Sequence, residues 1–381
     1  MTAFWHVGFR PFFLIALIQN MIVALIWTLH FTGLHAFEVQ VLSANRWHAF
    51  TMLFGFVFAT IAGFLLTATP KWTNTKPVSR LYLKIVVFVF LMGQILLLTQ
   101  PIMPTWLYQT VLSLFPLWLC VHLFFLFLKT KNYQQFVLLI PLFVIALSVI
   151  FSFGSHGGTW ISMANSAIRL ILIVIAGRII PFFTRSVMNV QIKPANKYAE
   201  RLLIVVLLIL IFEPLYQYVS FIGQMIWITL TSLALIFNVY RFFLWPVRRA
   251  MKRPILFVLY IAYMWIIAHF FFNLTRNFGI TTVVGQLELH ALTFGAMGTM
   301  ILGMLCRVTL GHTGRKIKAS KLMSTSFVLI TLGAVMRVFG TMLVSSHYVQ
   351  WVQISGLFWV SAFLLVAIEL IPMLLRKRID A

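Results

Sequence analysis

The chain has few charges, and very few of them are negative. Only 9% of its 381 residues are charged, and Asp and Glu together number 6. Soluble proteins have about 25% charged and about 45–50% apolar residues, whereas this chain is 62% hydrophobic. This composition excludes an ordinary soluble enzyme.

Cysteine is scarce too, and the familiar catalytic motifs are missing. The two cysteines, Cys120 and Cys306, are too few for a disulfide framework. The sequence has no Cys-x-x-Cys-His motif, which excludes covalent attachment of haem. No phosphate-binding loop, dinucleotide-binding fingerprint or Ser-His-Asp arrangement is evident.

Long apolar runs make up most of the chain. A helix needs about 20 apolar residues to cross a bilayer core of about 30 Å. The sequence predicts such spans at 11–33, 47–69, 81–99, 105–128, 134–153, 162–182, 202–220, 222–244, 254–275, 284–306, 322–344 and 349–373. We therefore predict an all-α, polytopic membrane bundle of about twelve transmembrane helices, formed by residues 1–381 as a single domain.

The basic residues predict the orientation of these spans. Of the 29 Lys and Arg residues, 25 lie at the termini or around the loops that follow every second span. The positive-inside rule therefore places both termini in the cytoplasm. The net charge of +23 is explained by topology, so it requires no nucleic acid partner.

The four remaining basic residues are Arg46, Arg169, Arg276 and Arg337. Arg169 and Arg337 fall inside predicted spans 6 and 11, where a charge costs several kcal/mol and suggests a functional site. The alternative is a structural ion pair, for which the acids placed to serve are Glu213, Glu288 and Glu369.

Polar residues within the spans concentrate in the half of the bundle away from the termini. His269, Asn273 and Arg276 share one helical face, and His48 and His290 fall at a similar depth. Imidazoles can ligate haem iron, and Arg suits the haem propionates. Imidazoles also suit copper, as do the thioethers of Met297, Met300 and Met304. The candidate cofactor-binding residues are His48, His269, His290, Arg169, Arg276 and Arg337, and the three histidines are the candidate metal ligands.

Small residues line the same helices. They are Gly55, Ala59 and Ala62 in the second span, with Ala291, Gly295 and Gly298 in the tenth. Small residues allow close helix packing, and they would equally leave room for a flat cofactor. Both interpretations remain open from the sequence.

Four separated motifs carry a family resemblance. They are Gly8-Phe9-Arg10-Pro11-Phe12-Phe13; Trp47-His48-Ala49 with the segment to Thr73; Gly177-Arg178-Ile179-Ile180-Pro181-Phe182-Phe183-Thr184-Arg185; and His290-Ala291-Leu292-Thr293 with the segment to Arg315. With these motifs the chain resembles the NnrS family of haem- and copper-containing integral membrane proteins.

The resemblance implies a protein of the bacterial cytoplasmic membrane that acts in nitric oxide metabolism or in resistance to nitrosative stress. It implies non-covalent, b-type haem and leaves copper open. The family commonly has Trp-His-Ala-His-Glu where this chain has Phe50 and Thr51 after Ala49, and this departure weakens the case for copper more than the case for haem.

The leading hypothesis is a haem protein that binds nitric oxide or a similar small ligand in the bilayer, with an unidentified electron donor if it turns over. The alternative is a transporter of haem, a metal or a small anion, in which Arg169, Arg276 and Arg337 would hold the substrate. A transporter of this kind is expected to have broken helices paired across two halves.

Overall fold

The computed structural model describes residues 2–33, 41–99, 103–218, 221–280 and 286–379. Within these residues it is helical and contains no strand. The main helices are α1 (Phe9–His30), α2 (Ala44–Thr73), α3 (Arg80–Thr99), α4 (Thr105–Lys129), α5 (Tyr133–Phe151), α6 (Gly157–Met188), α7 (Lys197–Ile209 with Leu210–Tyr218), α8 (Phe221–Phe243), α9 (Pro254–Asn277), α10 (Leu287–His312), α11 (Lys321–Leu343) and α12 (Tyr348–Leu375).

Eleven helices in the described part of the chain are long and apolar enough to cross a membrane. These confirm the predicted polytopic bundle, with bounds within a few residues of most predicted spans. The last two residues of predicted span 7 and the first two of span 10 lie outside the described residues.

The predicted seventh span is the exception, because α7 is not a continuous α-helix. It begins as an α-helix at Lys197 and changes to a 3-10 helix at Leu210. At about 1.5 Å and 2.0 Å of rise per residue for the two helix types, its full length still exceeds a bilayer core of about 30 Å.

The two termini meet at one end of the bundle. Arg10 Nη1 donates to the Leu374 carbonyl at 2.7 Å and to the Arg376 carbonyl at 2.5 Å. The backbone N–H of Ile379 donates to the Thr313 carbonyl, after α10, at 3.2 Å. A chain whose two termini lie at the same end crosses the membrane an even number of times. The eleven spans therefore require one more crossing, which α7 supplies. We call this end of the bundle, which holds most of the Lys and Arg residues, the basic end.

The helices differ in how deeply they are buried. Of the most apolar window of each helix, 78% is buried in α2 and in α10, against 17% in α8. Large apolar side chains such as Phe88, Phe125 and Ile222 are more than half exposed on the outer helices. Exposed apolar patches of this kind promote aggregation in water, whereas they are suited to contact with lipid. The buried helices α2, α6, α9 and α10 carry most of the predicted site residues.

Candidate functional site

Three helices contain π-helical segments in the described part of the chain. The segments are Thr51–Val57 in α2, Ala291–Gly298 in α10 and Met336–Gly340 in α11. A π-helix is rare and is often found at a functional site. Each of these segments contains a glycine and contributes side chains to one cavity.

Close packing against large side chains explains the glycines of α10. A Cβ atom at Gly295 would lie 2.5 Å from the Trp265 ring, and one at Gly298 would lie 2.4 Å from the Trp359 ring. In α2, a Cβ atom at Gly55 would lie 1.9 Å from Gln19. At these three positions the structure supports the helix-packing interpretation of the small residues.

The cavity has a volume of about 570 Å³ and opens between α1, α2, α6, α10, α11 and α12. It lies at the end of the bundle opposite the basic end, where α1 finishes and α2 begins. Its size is within the usual range of about 300–1,000 Å³ for a ligand pocket. Its walls are mostly apolar and include Trp27, Phe31, Met52, Leu53, Phe56, Phe294, Met297 and Trp359.

Three of the six predicted site residues converge on this cavity. His48, His290 and Arg337 lie in its wall, together with Arg46 and Tyr348. They come from three different helices, so no local sequence signal places them together.

The His48 ring is held by an aromatic stack. It lies face to face on Trp27, with 4.2 Å between the ring centroids and 11° between the planes. Trp27 stacks in turn on His30 at 5.6 Å. The buried Nδ1 atom of His48 has no hydrogen-bond partner within the described residues. A ring fixed by stacking that keeps an unused nitrogen is suited to receive a ligand.

Arg337 connects His290 to the aromatic wall. Its Nη2 atom lies 2.9 Å from His290 Nε2 and 3.3 Å from the Tyr348 hydroxyl. A guanidinium only donates, so Nε2 of His290 accepts here, while Nδ1 lies 3.2 Å from the Gln286 carbonyl. The other terminal nitrogen of Arg337, Nη1, is buried without a partner in the described chain.

The two cavity arginines have no acidic partner among the described residues. Neither Arg46 nor Arg337 forms an ion pair with a carboxylate of the described residues. Arg46 donates instead to the Gly154 and Ser155 carbonyls, each at 3.3 Å. Two guanidinium groups therefore bring positive charge to a cavity with no such counter-charge in the described wall.

Arg169 and His269 belong to a separate buried network. Arg169 Nη1 lies 3.0 Å from Glu213 Oε2 and 2.9 Å from His269 Nε2. The Nδ1 atom of His269 lies 2.6 Å from the Glu288 carbonyl. Both nitrogens of this ring are therefore engaged, Nε2 as acceptor from Arg169 and Nδ1 as donor to the carbonyl.

A backbone carbonyl of α7 adds another bond to this network. Arg169 Nη2 donates to the Leu210 carbonyl at 3.0 Å. Leu210 is the residue at which α7 changes from an α-helix to a 3-10 helix.

Acids and amides complete the network. Asn273 Nδ2 donates to Glu213 Oε1 at 2.5 Å, and Arg276 forms an ion pair with Glu288. Arg169 therefore has the acid partner that the sequence left open for it, and Arg276 has one as well. Arg337 forms no ion pair with a carboxylate of the described residues.

Metal-binding groups are dispersed in the structure. No group of three or more His, Cys, Asp or Glu side chains that could hold a metal ion occurs within the described residues. Met297 lines the cavity, whereas Met300 and Met304 line a separate, smaller pocket. Phe50 and Thr51, where the family resemblance implies a histidine and a carboxylate, are buried outside the cavity wall.

The sequence motifs that are far apart in the chain meet at the basic end. The Phe9 backbone N–H donates to Thr67 Oγ1 at 2.9 Å, and the Phe9 ring lies 5.2 Å from that of His312. The Arg307 guanidinium lies 4.3 Å from the centroid of the Phe183 ring. These contacts join the motifs of α1, α2, α6 and α10 into one structural unit.

Comparison with known proteins agrees with this assembly. The family model described as NnrS protein matches residues 3–378, which is nearly the whole chain. A search of curated proteins finds no match. The match from α1 to the end of α12 shows that the chain belongs to the NnrS family.

Proposed function

We propose that this protein is a haem-containing protein of the bacterial cytoplasmic membrane that acts in nitric oxide metabolism or in resistance to nitrosative stress. The observation that carries the proposal is the cavity of about 570 Å³ with His48, His290, Arg46 and Arg337 in its wall. Haem bound there would supply an iron that binds small diatomic ligands.

The unpartnered polar atoms of the cavity fit such a cofactor. Haem is a flat apolar molecule with two carboxylates, so it requires aromatic walls, an imidazole and cations. His48 Nδ1 and Arg337 Nη1 are buried polar atoms that find no partner in the described residues, and such atoms cost free energy unless a guest satisfies them.

Each type of residue in the cavity wall would have a different role in binding haem. Trp27 fixes the plane of the His48 imidazole, which is the first candidate ligand because one of its nitrogens is unused. Arg337 and Arg46 would pair with the carboxylates, as guanidinium forks do. His290 is the second candidate ligand, and its Nε2 atom must first leave Arg337. The remaining apolar wall would exclude water.

Copper takes second place in this proposal. The positions of the family's second histidine and carboxylate hold Phe50 and Thr51. Phe50 packs against Phe54 with 4.5 Å between the ring centroids, and Thr51 Oγ1 donates to the Trp47 carbonyl at 2.8 Å. Both side chains are engaged in packing and local bonding, so their present role is structural.

The test is an absorption spectrum of the purified protein after haem-replete expression. We expect a Soret band that shifts when nitric oxide is added and weakens strongly in His48→Ala. The matched control is His122→Ala, because His122 also stacks on a tryptophan, at 5.1 Å from Trp118, but lies on α4 outside the cavity. A colourless wild-type protein, or equal loss in both variants, would contradict the proposal.

A transporter remains the second candidate because the cavity is positively charged. Two of the arginines that this alternative relied on, Arg169 and Arg276, are paired with Glu213 and Glu288. Arg337 is the one left to hold an anion. Uptake of an anion or of haem into liposomes that is lost in Arg337→Ala but kept in Arg276→Ala would favour transport over a resident cofactor.

A further inference from the structure

A second, smaller pocket lies deeper in the bundle, towards the basic end. Its volume is about 50 Å³, and it is lined by α1, α2, α6 and α10. The lining is apolar apart from Thr60, whose hydroxyl donates to the Phe56 carbonyl of its own helix at 3.1 Å. This pocket therefore presents no free hydrogen-bonding group of its described lining to an occupant.

The pocket and the large cavity are stacked along the same helices. On α2, Val57 lines both. On α6, the cavity lining ends at Asn165 and the pocket lining starts at Ile168. On α10, the corresponding residues are Met297 and Met300. Three residues of helix rise only about 4.5 Å, so less than one helical turn separates the two spaces.

The pocket also reaches the lipid-facing side of the bundle. Most of its lining is buried, but Phe64, Leu172 and Ile175 are partly exposed on the surfaces of α2 and α6. Ile301 lies near the middle of α10 and so near the middle of the bilayer. A molecule dissolved in lipid can therefore approach the pocket without crossing the polar face of the membrane.

The chemistry of the lining determines the class of occupant. A space needs only about 10–15 Å³ to admit a water, but apolar cavities without polar partners stay dry and take up apolar guests or xenon. A volume of about 50 Å³ suits a diatomic molecule and is far too small for a drug-sized ligand. An anion would be left without a partner.

We propose that this pocket is a binding site for a small uncharged gas, which reaches it from the lipid and passes along Val57 and Met297 into the cavity. The identity of the gas as nitric oxide rests on the proposed function. The affinity of the pocket for an uncharged gas does not, so the two ideas can fail separately.

The first test uses xenon, which needs no haem. Crystals of the full-length protein pressurised with xenon should show a xenon atom between Ile168, Ile301 and Val57. The Ile301→Phe and Ile61→Phe variants should abolish it from opposite walls. Ile236→Phe is the matched control, because this residue is 59% exposed on α8 and should leave the xenon in place.

An enlarging variant protects the test against loss of folding. Filling a packed site can cost about 1–3 kcal/mol, so Ile301→Ala is made in parallel and should raise xenon occupancy. Absence of xenon in both the wild type and Ile301→Ala, or a lipid or detergent chain in the pocket, would overturn the proposal.

The second test measures passage to the cavity in the haem-loaded protein. After flash photolysis of bound carbon monoxide, the bimolecular rebinding rate should fall several-fold in Ile301→Phe and stay at the wild-type rate in Ile236→Phe. A rate unchanged by Ile301→Phe would overturn the route even if xenon binds. If the purified protein holds no haem, the proposed function fails and the xenon result alone decides the pocket.

Discussion

The cavity and the buried Arg169 network contain the same kinds of side chain, arranged to opposite effect. In the network, the arginine has a carboxylate, an imidazole and a carbonyl as partners. In the cavity, Arg337 has an imidazole and a phenol but no carboxylate of the described chain, and its Nη1 atom is unpartnered. One nitrogen of each guanidinium, Nε of Arg169 and Nη1 of Arg337, has no partner in the described residues. The carboxylate therefore distinguishes the two sites, and a buried cation marks a ligand site when the described chain supplies it with no anion.

The sharpest test of this comparison is one substitution made in the network. Arg169→Met leaves Glu213 buried without its cation, and breaking such a pair typically costs about 3–5 kcal/mol. We expect the largest loss of unfolding free energy of any variant considered for these two regions, measured by thermal or detergent unfolding of the purified protein.

The control for Arg169→Met is the double variant Arg169→Met with Glu213→Leu. Replacing both members of a buried pair by apolar residues is often neutral, so most of the stability should return. A double variant as unstable as the single one would show that the ion pair is not the cause.

The next largest effect is expected for His269→Ala. This change leaves an N–H of Arg169 and the Glu288 carbonyl without their partner, and each unsatisfied buried group costs about 1–3 kcal/mol. Cofactor content per folded molecule should stay near the wild-type value, because His269 is not in the cavity wall. Loss of the Soret band without loss of stability would contradict this assignment and would indicate that His269 binds the cofactor.

A smaller effect is expected for Arg276→Ala. The Arg276 side chain is 53% exposed, whereas that of Glu288 is 9% exposed. Because Glu288 is buried, the loss should exceed the value of about 0.2–1 kcal/mol for a fully exposed pair. Because water screens the exposed guanidinium, the loss should stay below that of a pair with both members buried. Unfolding curves at low and high salt check this, since the difference between the variant and the wild type should shrink with salt. A loss as large as that of Arg169→Met would contradict the screening of this pair by water.

The smallest change in stability is expected for Arg337→Met, the counterpart of the first variant. Arg337 has no carboxylate partner in the described residues, so its replacement leaves no buried anion behind. The unfolding free energy of the cofactor-free variant should therefore stay within about 1 kcal/mol of the wild-type value or rise above it. Cofactor content, measured by absorption and iron analysis, should fall. Large destabilisation without cofactor loss would show that Arg337 is structural.

The sequence predicts the bundle well because crossing a bilayer imposes a length and an apolar composition that can be read directly. It does not predict the helix type within α7, where Pro214 and a 3-10 segment follow an ordinary apolar run. The Leu210 carbonyl there accepts from Arg169 on another helix, and no local pattern records that contact.

The sequence indicates how deep in the bundle the site residues lie, but not which of them lie together. The sequence placed His48, His269 and His290 at a similar level, yet the structure puts His269 in the network and the other two in the cavity. Arg46 and Trp27 were not predicted as cavity residues. The stacking of Trp27 on His48 joins residues 21 positions apart on different helices, and only the fold brings them together.

The bonds of Arg10 also bear on the order in which the chain is built. This residue lies in the first helix, and its acceptors are the carbonyls of Leu374 and Arg376, 364 and 366 residues later. During synthesis the Arg10 guanidinium has neither of these acceptors until the twelfth helix has been inserted. The first helix therefore gains these two bonds only when α12 is in place.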